Sequence, residues 1–162
     1  MTAMDAIRQT MELCHEVLTA YLGDLSDAEL LIRPVPTANH IAWQLGHLIV
    51  SERQMLTALG QLVPELPPGF AAAYTRESAG SDDPDRFHSK DQYLTLLDRQ
   101  REAALAALDA LPEAELDKPA PEQMREYAPT VGAVFSLIGT HKLMHAGQFV
   151  TVRRKLGKPV LF

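Results

Sequence analysis

The sequence predicts an all-α fold, a four-helix bundle with long connectors, and two observations support this prediction. Four long segments repeat apolar residues every three or four positions, the spacing of a helix with one buried face. No segment alternates apolar and polar residues as a half-buried strand does. Helices of this kind bury their apolar faces against one another in a bundle. We expect residues 1–162 to form a single domain, and the long connectors permit a helix order other than simple up-and-down.

The first long helix is predicted over residues 2–22 and is closed by Gly23. Its apolar face consists of Ile7, Met11, Cys14, Leu18 and Tyr21. Ser26 and Glu29 then have the spacing of a capping box, which predicts one short helical turn. The segment Pro34-Val35-Pro36 imposes an extended connector before the next helix.

The second long helix is predicted over residues 39–60, with Thr37 or Asn39 as its N-cap. It is followed by an irregular connector, residues 61–88, that contains four prolines. This segment is longer than most connections in compact domains, so we expect it to cover part of the bundle as well as join two helices.

The third and fourth long helices are predicted over residues 90–111 and 130–156. Ser89 caps the third and Pro112 ends it, whereas Thr130 caps the fourth. Gly157 and Pro159 follow the fourth helix and stop it.

Composition excludes several functional classes. The net charge is −6 and no stripe of lysine and arginine is present, which argues against nucleic-acid binding. The single cysteine, Cys14, permits no intramolecular disulfide and fits a reducing compartment. No apolar run approaches the ~20 residues of a membrane span, and the N-terminal segment lacks the apolar region of a secretory signal. We therefore expect a cytoplasmic protein.

Two histidines one turn apart, His141 and His145, fall within the predicted apolar stripe of the fourth helix. At about 100° per residue the stripe also contains Val131, Val134, Ile138, Gln148, Val152 and Leu156. Imidazoles at this spacing can bind one metal ion together. They can equally be polar core residues that are hydrogen-bonded to other side chains, and this segment alone leaves both interpretations open.

Two motifs resemble those of the DinB/YfiT-like domains. The fourth-helix pattern His-x-x-x-His-x-x-Gln, followed by Arg153 and Leu156-Gly157-Lys158-Pro159, is similar to the end of such a domain. The segment Trp43-Gln44-Leu45-Gly46-His47-Leu48 is similar to the aromatic-then-histidine segment that supplies the family's remaining ligand. The helix order, the long second connector and the chain length agree, so the resemblance covers nearly the whole chain.

The resemblance implies a divalent transition-metal ion bound by His47, His141 and His145 near one end of the bundle, with water completing the shell. Three neutral nitrogen donors suit zinc or nickel. The resemblance also implies a metal-dependent enzyme acting on a small molecule, either a transferase that uses a low-molecular-weight thiol or a hydrolase. No catalytic residue beyond the ligands is assigned. The alternative is a non-catalytic metal-dependent stress-response or binding protein.

Three further residues are candidates for the surroundings of the metal or for a pocket beside it: Gln148, Trp43 and His40. Gln148 could orient a ligand, or it could be an ordinary polar residue satisfied by backbone groups. His40 precedes His47 by roughly 10 Å along the helix axis, too far to share the ion, and an ordinary helix-start role competes with a pocket role. We expect His15 and His88 to lie outside the site, with His88 in solvent.

The second helix carries two apolar faces, which leads us to expect a homodimer. One face contains Leu45 and Leu48, and His47 shares the other face with Trp43 and Val50. A second subunit or the 61–88 connector could cover the additional face, and a kink near Gly46 is a third explanation. Closed two-fold dimers are the commonest assembly.

Overall fold

The computed structural model describes residues 1–162 and contains five α-helices joined by loops with short 3-10 turns. Their bounds are Ala3–Leu22 (α1), Asp27–Leu30 (α2), Ile41–Ala58 (α3), Lys90–Ala110 (α4) and Val131–Lys155 (α5). The predicted all-α bundle is confirmed, and each long helix begins and ends within two residues of its predicted bounds. None of the helices combines the length and apolar character needed to cross a membrane.

Side-chain caps define where most of these helices begin. Thr2, Ser26 and Ser89 each accept a hydrogen bond from the backbone three residues later, and all three take part in complete capping boxes. Thr130 caps α5 as predicted. The predicted caps of α3, Thr37 and Asn39, were wrong: His40 is the N-cap, and its Nδ1 accepts the Trp43 N–H at 3.0 Å.

The helices are not arranged in simple up-and-down order. α1 packs against α5 and α4, and α3 packs against the same two helices, so α1 lies diagonally opposite α3, and α4 lies diagonally opposite α5. Gly139 allows the closest approach, because a Cβ there would lie 3.1 Å from the Cα of Met11. The long connectors make this order possible, since adjacent helices need not be consecutive.

Two separate apolar clusters form the core. The Trp43 cluster contains 19 buried residues, including Leu18, Leu45, Tyr93 and Phe149. The Phe135 cluster contains 12, including Met11, Leu56 and Leu108. Each long helix has at least one buried polar residue between the part that joins one cluster and the part that joins the other. Four of these residues, one from each helix, are here called the polar layer: His15, Glu52, Gln100 and Lys142.

The 61–88 connector covers part of the bundle, as predicted, and the part it covers is one face of α3. Phe70 and Tyr74 from this connector are buried within the Trp43 cluster. Gly46 makes this possible, because a Cβ there would overlap the Tyr74 ring. The additional apolar face of α3 is thus buried without a second subunit. The homodimer stays a prediction that light scattering at micromolar concentration can test.

Gly46→Ala is expected to destabilise the protein by about 1–3 kcal/mol, because the added methyl group must displace the buried Tyr74 ring. Gly147→Ala on α5 is the matched control, since a Cβ there meets no atom within 4 Å. That substitution should stabilise the protein by about 0.5–1 kcal/mol through helix propensity. Urea denaturation of both variants measures the difference. Equal effects would show that Tyr74 does not need the space at Gly46.

Candidate metal centre

Three imidazoles from two helices converge at one point of the bundle. α3 supplies His47, and α5 supplies His141 and His145 one turn apart. One ring nitrogen of each lies within 4.8 Å of those of the other two. His141 and His145 flank Lys142, a member of the polar layer, so the group lies at mid-height of the bundle and not near one end, as the resemblance implied.

A chain of hydrogen bonds orients His145. The side-chain amide of Gln44 donates to the backbone oxygen of Asn39 at 2.9 Å, which leaves its Oε1 facing His145. That oxygen accepts a hydrogen bond from His145 Nδ1 at 2.7 Å. The proton of neutral His145 is therefore on Nδ1, and the lone pair is on Nε2, which faces His141. This is the arrangement by which outer partners orient metal-binding histidines.

Trp43 fixes the ring of His47. The two rings are stacked, with centroids 5.1 Å apart and planes within 7° of parallel. The Trp43 indole N–H donates to the backbone oxygen of Thr75 and to the hydroxyl of Ser78, both 3.1 Å away. The connector therefore holds Trp43, and Trp43 in turn limits the orientations of His47.

All three histidines are neutral at pH 7. Burial lowers the pKa of His47 below its ordinary value. Burial, assisted by the nearby His47, lowers the pKa of His141 to about 4. For His145, burial and then the neighbouring His141 and His47 lower the pKa to about 3. Neutral imidazole is the form that binds metal ions, so protons do not compete for these nitrogens near neutral pH.

The donor set fits a divalent transition-metal ion. Nε2 of His141 and Nε2 of His145 are 3.2 Å apart. Two nitrogens bound to one tetrahedral ion at 2.0–2.1 Å lie about 3.3 Å apart, so these two need almost no movement. Three neutral nitrogens leave further coordination positions open, and such a set suits zinc or nickel.

A buried ion pair connects the two helices that carry the histidines. Lys142 Nζ lies 2.8 Å and 3.1 Å from the two carboxylate oxygens of Glu52, and both side chains are almost completely buried. Burial raises the pKa of Glu52, and the positive charge of Lys142 opposes that shift. The pair fixes the position of α3 relative to α5.

An open pocket of about 850 Å³ lies beside the three imidazoles. His47 and His141 form part of its wall, and Ser51 and Met55 continue that wall along α3. The rest of the lining comes from the loop before α5, at Gln123, Met124 and Tyr127, and from α5 itself, at Leu137 and Met144. A molecule in this pocket would therefore contact two of the three histidines.

The structure places Gln148 and His40 away from the three histidines. The side chain of Gln148 is exposed and has no hydrogen bond to the site, so Gln44 fills the orienting role considered for it. The predicted stripe of α5 was rotated, since Lys142 and Phe149 are buried in place of Gln148. His40 is buried as the cap of α3, with Nε2 donating to the Ser81 backbone oxygen.

The two histidines expected outside the site do lie outside it. His15 is buried in the polar layer and bonds Asp98 at 2.9 Å. His88 is not in solvent as predicted, because its Nδ1 lies 2.6 Å from the hydroxyl of Tyr74 in a partly buried aromatic group. Neither residue has a ring nitrogen in the three-histidine group.

Sequence reasoning missed Gln44 and Lys142 as contributors to this region. Gln44 precedes His47 by three residues, a spacing that places both on one side of a helix, and it is a polar residue among Trp43, Leu45 and Gly46. This spacing, together with a polar residue in an otherwise apolar segment, could have identified Gln44 from the sequence. No comparable sequence pattern marks Lys142, because its burial depends on Glu52, which is distant in sequence.

Gln44→Ala is expected to weaken metal binding by about 10–100-fold, because His145 loses the acceptor that fixes its tautomer. Gln148→Ala is the matched control, since the same residue type on the exposed side of α5 should leave the affinity unchanged. Competition titration with a metal-binding dye measures both affinities. A loss in the Gln148 variant that equals the loss in the Gln44 variant would contradict the assigned roles.

Comparison with known proteins agrees with this architecture. The sequence profile described as the DinB superfamily matches residues 10–149. A crystal structure described as the conserved protein of a locus from Enterococcus faecalis is similar, with a TM-score of 0.73 and 19% sequence identity over 98% of this chain and 99% of that one. At this identity the likeness shows the fold alone. No curated protein matches the chain in sequence. The profile covers well over half of the 162 residues, and the chain therefore belongs to the DinB superfamily.

Proposed function

We propose that this protein binds one divalent transition-metal ion, zinc or nickel, and uses it as an enzyme acting on a small molecule, by thiol S-transfer or by hydrolysis. The observation that carries the proposal is that His47 and His141 belong both to the three-histidine group and to the wall of the adjacent pocket. A ligand set with open positions next to a pocket is typical of catalytic metal sites, whereas structural sites are closed by four protein ligands.

The chain's own residues have distinct tasks in this proposal. His47, His141 and His145 would hold the ion, and Gln44 would keep Nε2 of His145 directed toward it. A bound ion supplies Lewis acidity, which lowers the pKa of a coordinated water or thiol. The apolar side chains of Met55 and Leu137 would limit the access of bulk water to the reacting group.

The state of Glu52 favours a second candidate, a non-catalytic metal-dependent stress-response or binding protein. Glu52 is 2% exposed and paired with Lys142, and no aspartate or glutamate lines the pocket. No carboxylate is therefore placed to act as a general base on a molecule there. The lack of a general base weighs less against S-transfer than against hydrolysis, because a thiol loses its proton far more readily than water does.

An activity screen combined with metal analysis tests the proposal. Protein purified after zinc- or nickel-supplemented expression is analysed for metal, and is then assayed for thiol transfer to electrophiles and for ester hydrolysis, with and without a chelator. We expect a single ion per chain and chelator-sensitive turnover in one of the two assays. Bound metal without turnover in either assay would favour the binding protein, and the absence of metal would contradict both candidates.

A further inference from the structure

The pocket beside the three histidines contains no charged side chain. Its eleven lining residues include no lysine, arginine, aspartate or glutamate. The two histidines among them, His47 and His141, belong to the three-histidine group. Three basic residues are adjacent in sequence to lining residues, and each has a partner: Lys142 pairs with Glu52, Arg53 donates to the backbone oxygen of Pro64, and Arg125 donates to that of Ala120. A carboxylate or phosphate entering this pocket would find no cation among the side chains.

The apolar part of the wall suits a flat, polarisable molecule. Three methionines, Met55, Met124 and Met144, line the pocket together with Leu137 and Tyr127. Methionine is flexible and makes favourable contacts between its sulfur and aromatic rings. Tyr127 is 76% exposed and Met144 is 57% exposed, so both present large apolar surfaces at the mouth of the pocket. Such surfaces bind aromatic rings well.

The polar part of the wall is neutral. Ser51 lies one turn after His47 on α3, and Gln54 and Gln123 add two side-chain amides. Hydroxyl and amide groups can donate or accept hydrogen bonds and so can orient an uncharged polar substituent. They do not neutralise an anion, and burying an unpaired charge in such surroundings is costly.

We propose that the wall of this pocket binds the uncharged, predominantly aromatic body of a small molecule and discriminates against a body that carries carboxylates or phosphates. The inference rests on the proposed function insofar as this molecule would be the substrate of the metal site. The inference gives the substrate a chemical class. The molecule in the pocket can be either the thiol or the electrophile, and in both cases it is uncharged apart from the group that reaches the three histidines. Thiols that carry several carboxylates are disfavoured.

Methionine NMR with two matched probes tests the inference. The protein is labelled with ¹³C in its methionine methyl groups and titrated with 4-methylbenzyl alcohol or with 4-(hydroxymethyl)benzoate, which differ only in a methyl group against a carboxylate. Met55, Met124 and Met144 report on the pocket, and Met1, Met4 and Met11 are internal controls. In the metal-free protein we expect the neutral probe to shift the three pocket resonances, and the carboxylate to bind at least about tenfold more weakly.

A charge-introducing variant sharpens the test. Ala58→Lys adds a cation to the pocket wall and should reverse the preference in favour of the carboxylate, a gain of binding that an unfolded variant could not show. Equal binding of both probes by the wild-type protein would overturn the inference. So would pocket resonances that shift on dilution without any probe, because they would show that a second copy of the chain covers this surface.

Parallel titrations of metal-free and zinc-supplemented protein separate this inference from the proposed function. Preference for the neutral probe in a protein that binds no metal would overturn the proposed function and leave the inference standing. Stable metal binding by a protein whose metal-free form shows no such preference would overturn the inference alone; the metal-free form decides because a carboxylate can itself coordinate a bound ion.

Discussion

Replacing His145 by alanine is expected to weaken zinc or nickel binding by more than about 100-fold. This loss is larger than the one expected for Gln44→Ala, which removes only a partner of His145 and leaves all three ligands in place. The reason is geometric, because His145 Nε2 lies 3.2 Å from His141 Nε2 and is the donor whose tautomer the structure fixes. Two imidazoles would remain. Competition titration with a metal-binding dye measures the loss.

His15→Ala is the control for this variant. His15 is a buried histidine at the same level of the bundle, but it bonds Asp98 and lies outside the three-histidine group. Its removal should leave metal affinity unchanged even if stability falls. Excess metal should also raise the melting temperature of the wild-type protein, by a stabilisation of about 2.7 kcal/mol at 100 times the dissociation constant, and should not do so for His145→Ala. An unchanged affinity in His145→Ala would contradict its role as a ligand.

Breaking the buried pair between Glu52 and Lys142 is expected to cost about 3–5 kcal/mol of folding free energy. Both Glu52→Leu and Lys142→Met leave one charged group in the polar layer without its partner, since the two side chains are 2% and 3% exposed. The double variant replaces both charges with apolar groups and should recover most of the loss. Urea denaturation of metal-free protein measures all four members of the cycle.

An exposed pair provides the control for the ion-pair cycle. Glu115 and Lys118 lie 2.7 Å apart, and their side chains are 35% and 61% exposed, so Glu115→Gln should change stability by less than about 1 kcal/mol. Additive losses in the Glu52 and Lys142 double variant would contradict the pairing. A loss in either single variant as small as that of Glu115→Gln would contradict its buried position.

The sequence predicted the helices well because local interactions define them. Ser26, Ser89 and Thr130 all act as the caps that their positions indicated. The start of α3 was missed because His40 caps it, and its second bond, to Ser81, depends on the connector. A local pattern does not contain such distant contacts.

The site was only partly predictable for the same physical reason. The spacing of His141 and His145 placed both on one face of α5, but the resemblance, not periodicity, pointed to His47. Periodicity alone also placed Gln148 on the buried face and left Lys142 out of it. Whether a polar residue is buried depends on its partner, and Glu52, the partner of Lys142, lies 90 residues away in sequence. The same holds for Gln44, whose partner His145 lies on another helix.

The most direct test of the metal centre is anomalous X-ray diffraction, at the zinc or nickel absorption edge, from crystals of the metal-supplemented protein. The account predicts one strong peak at mid-height of the bundle, about 2.0–2.2 Å from a ring nitrogen of each of His47, His141 and His145. A peak at any other position, or no peak while His141 and His145 stay hydrogen-bonded to each other, would contradict it. The three histidines would then be polar core residues, and the pocket beside them would belong to a protein that needs no metal.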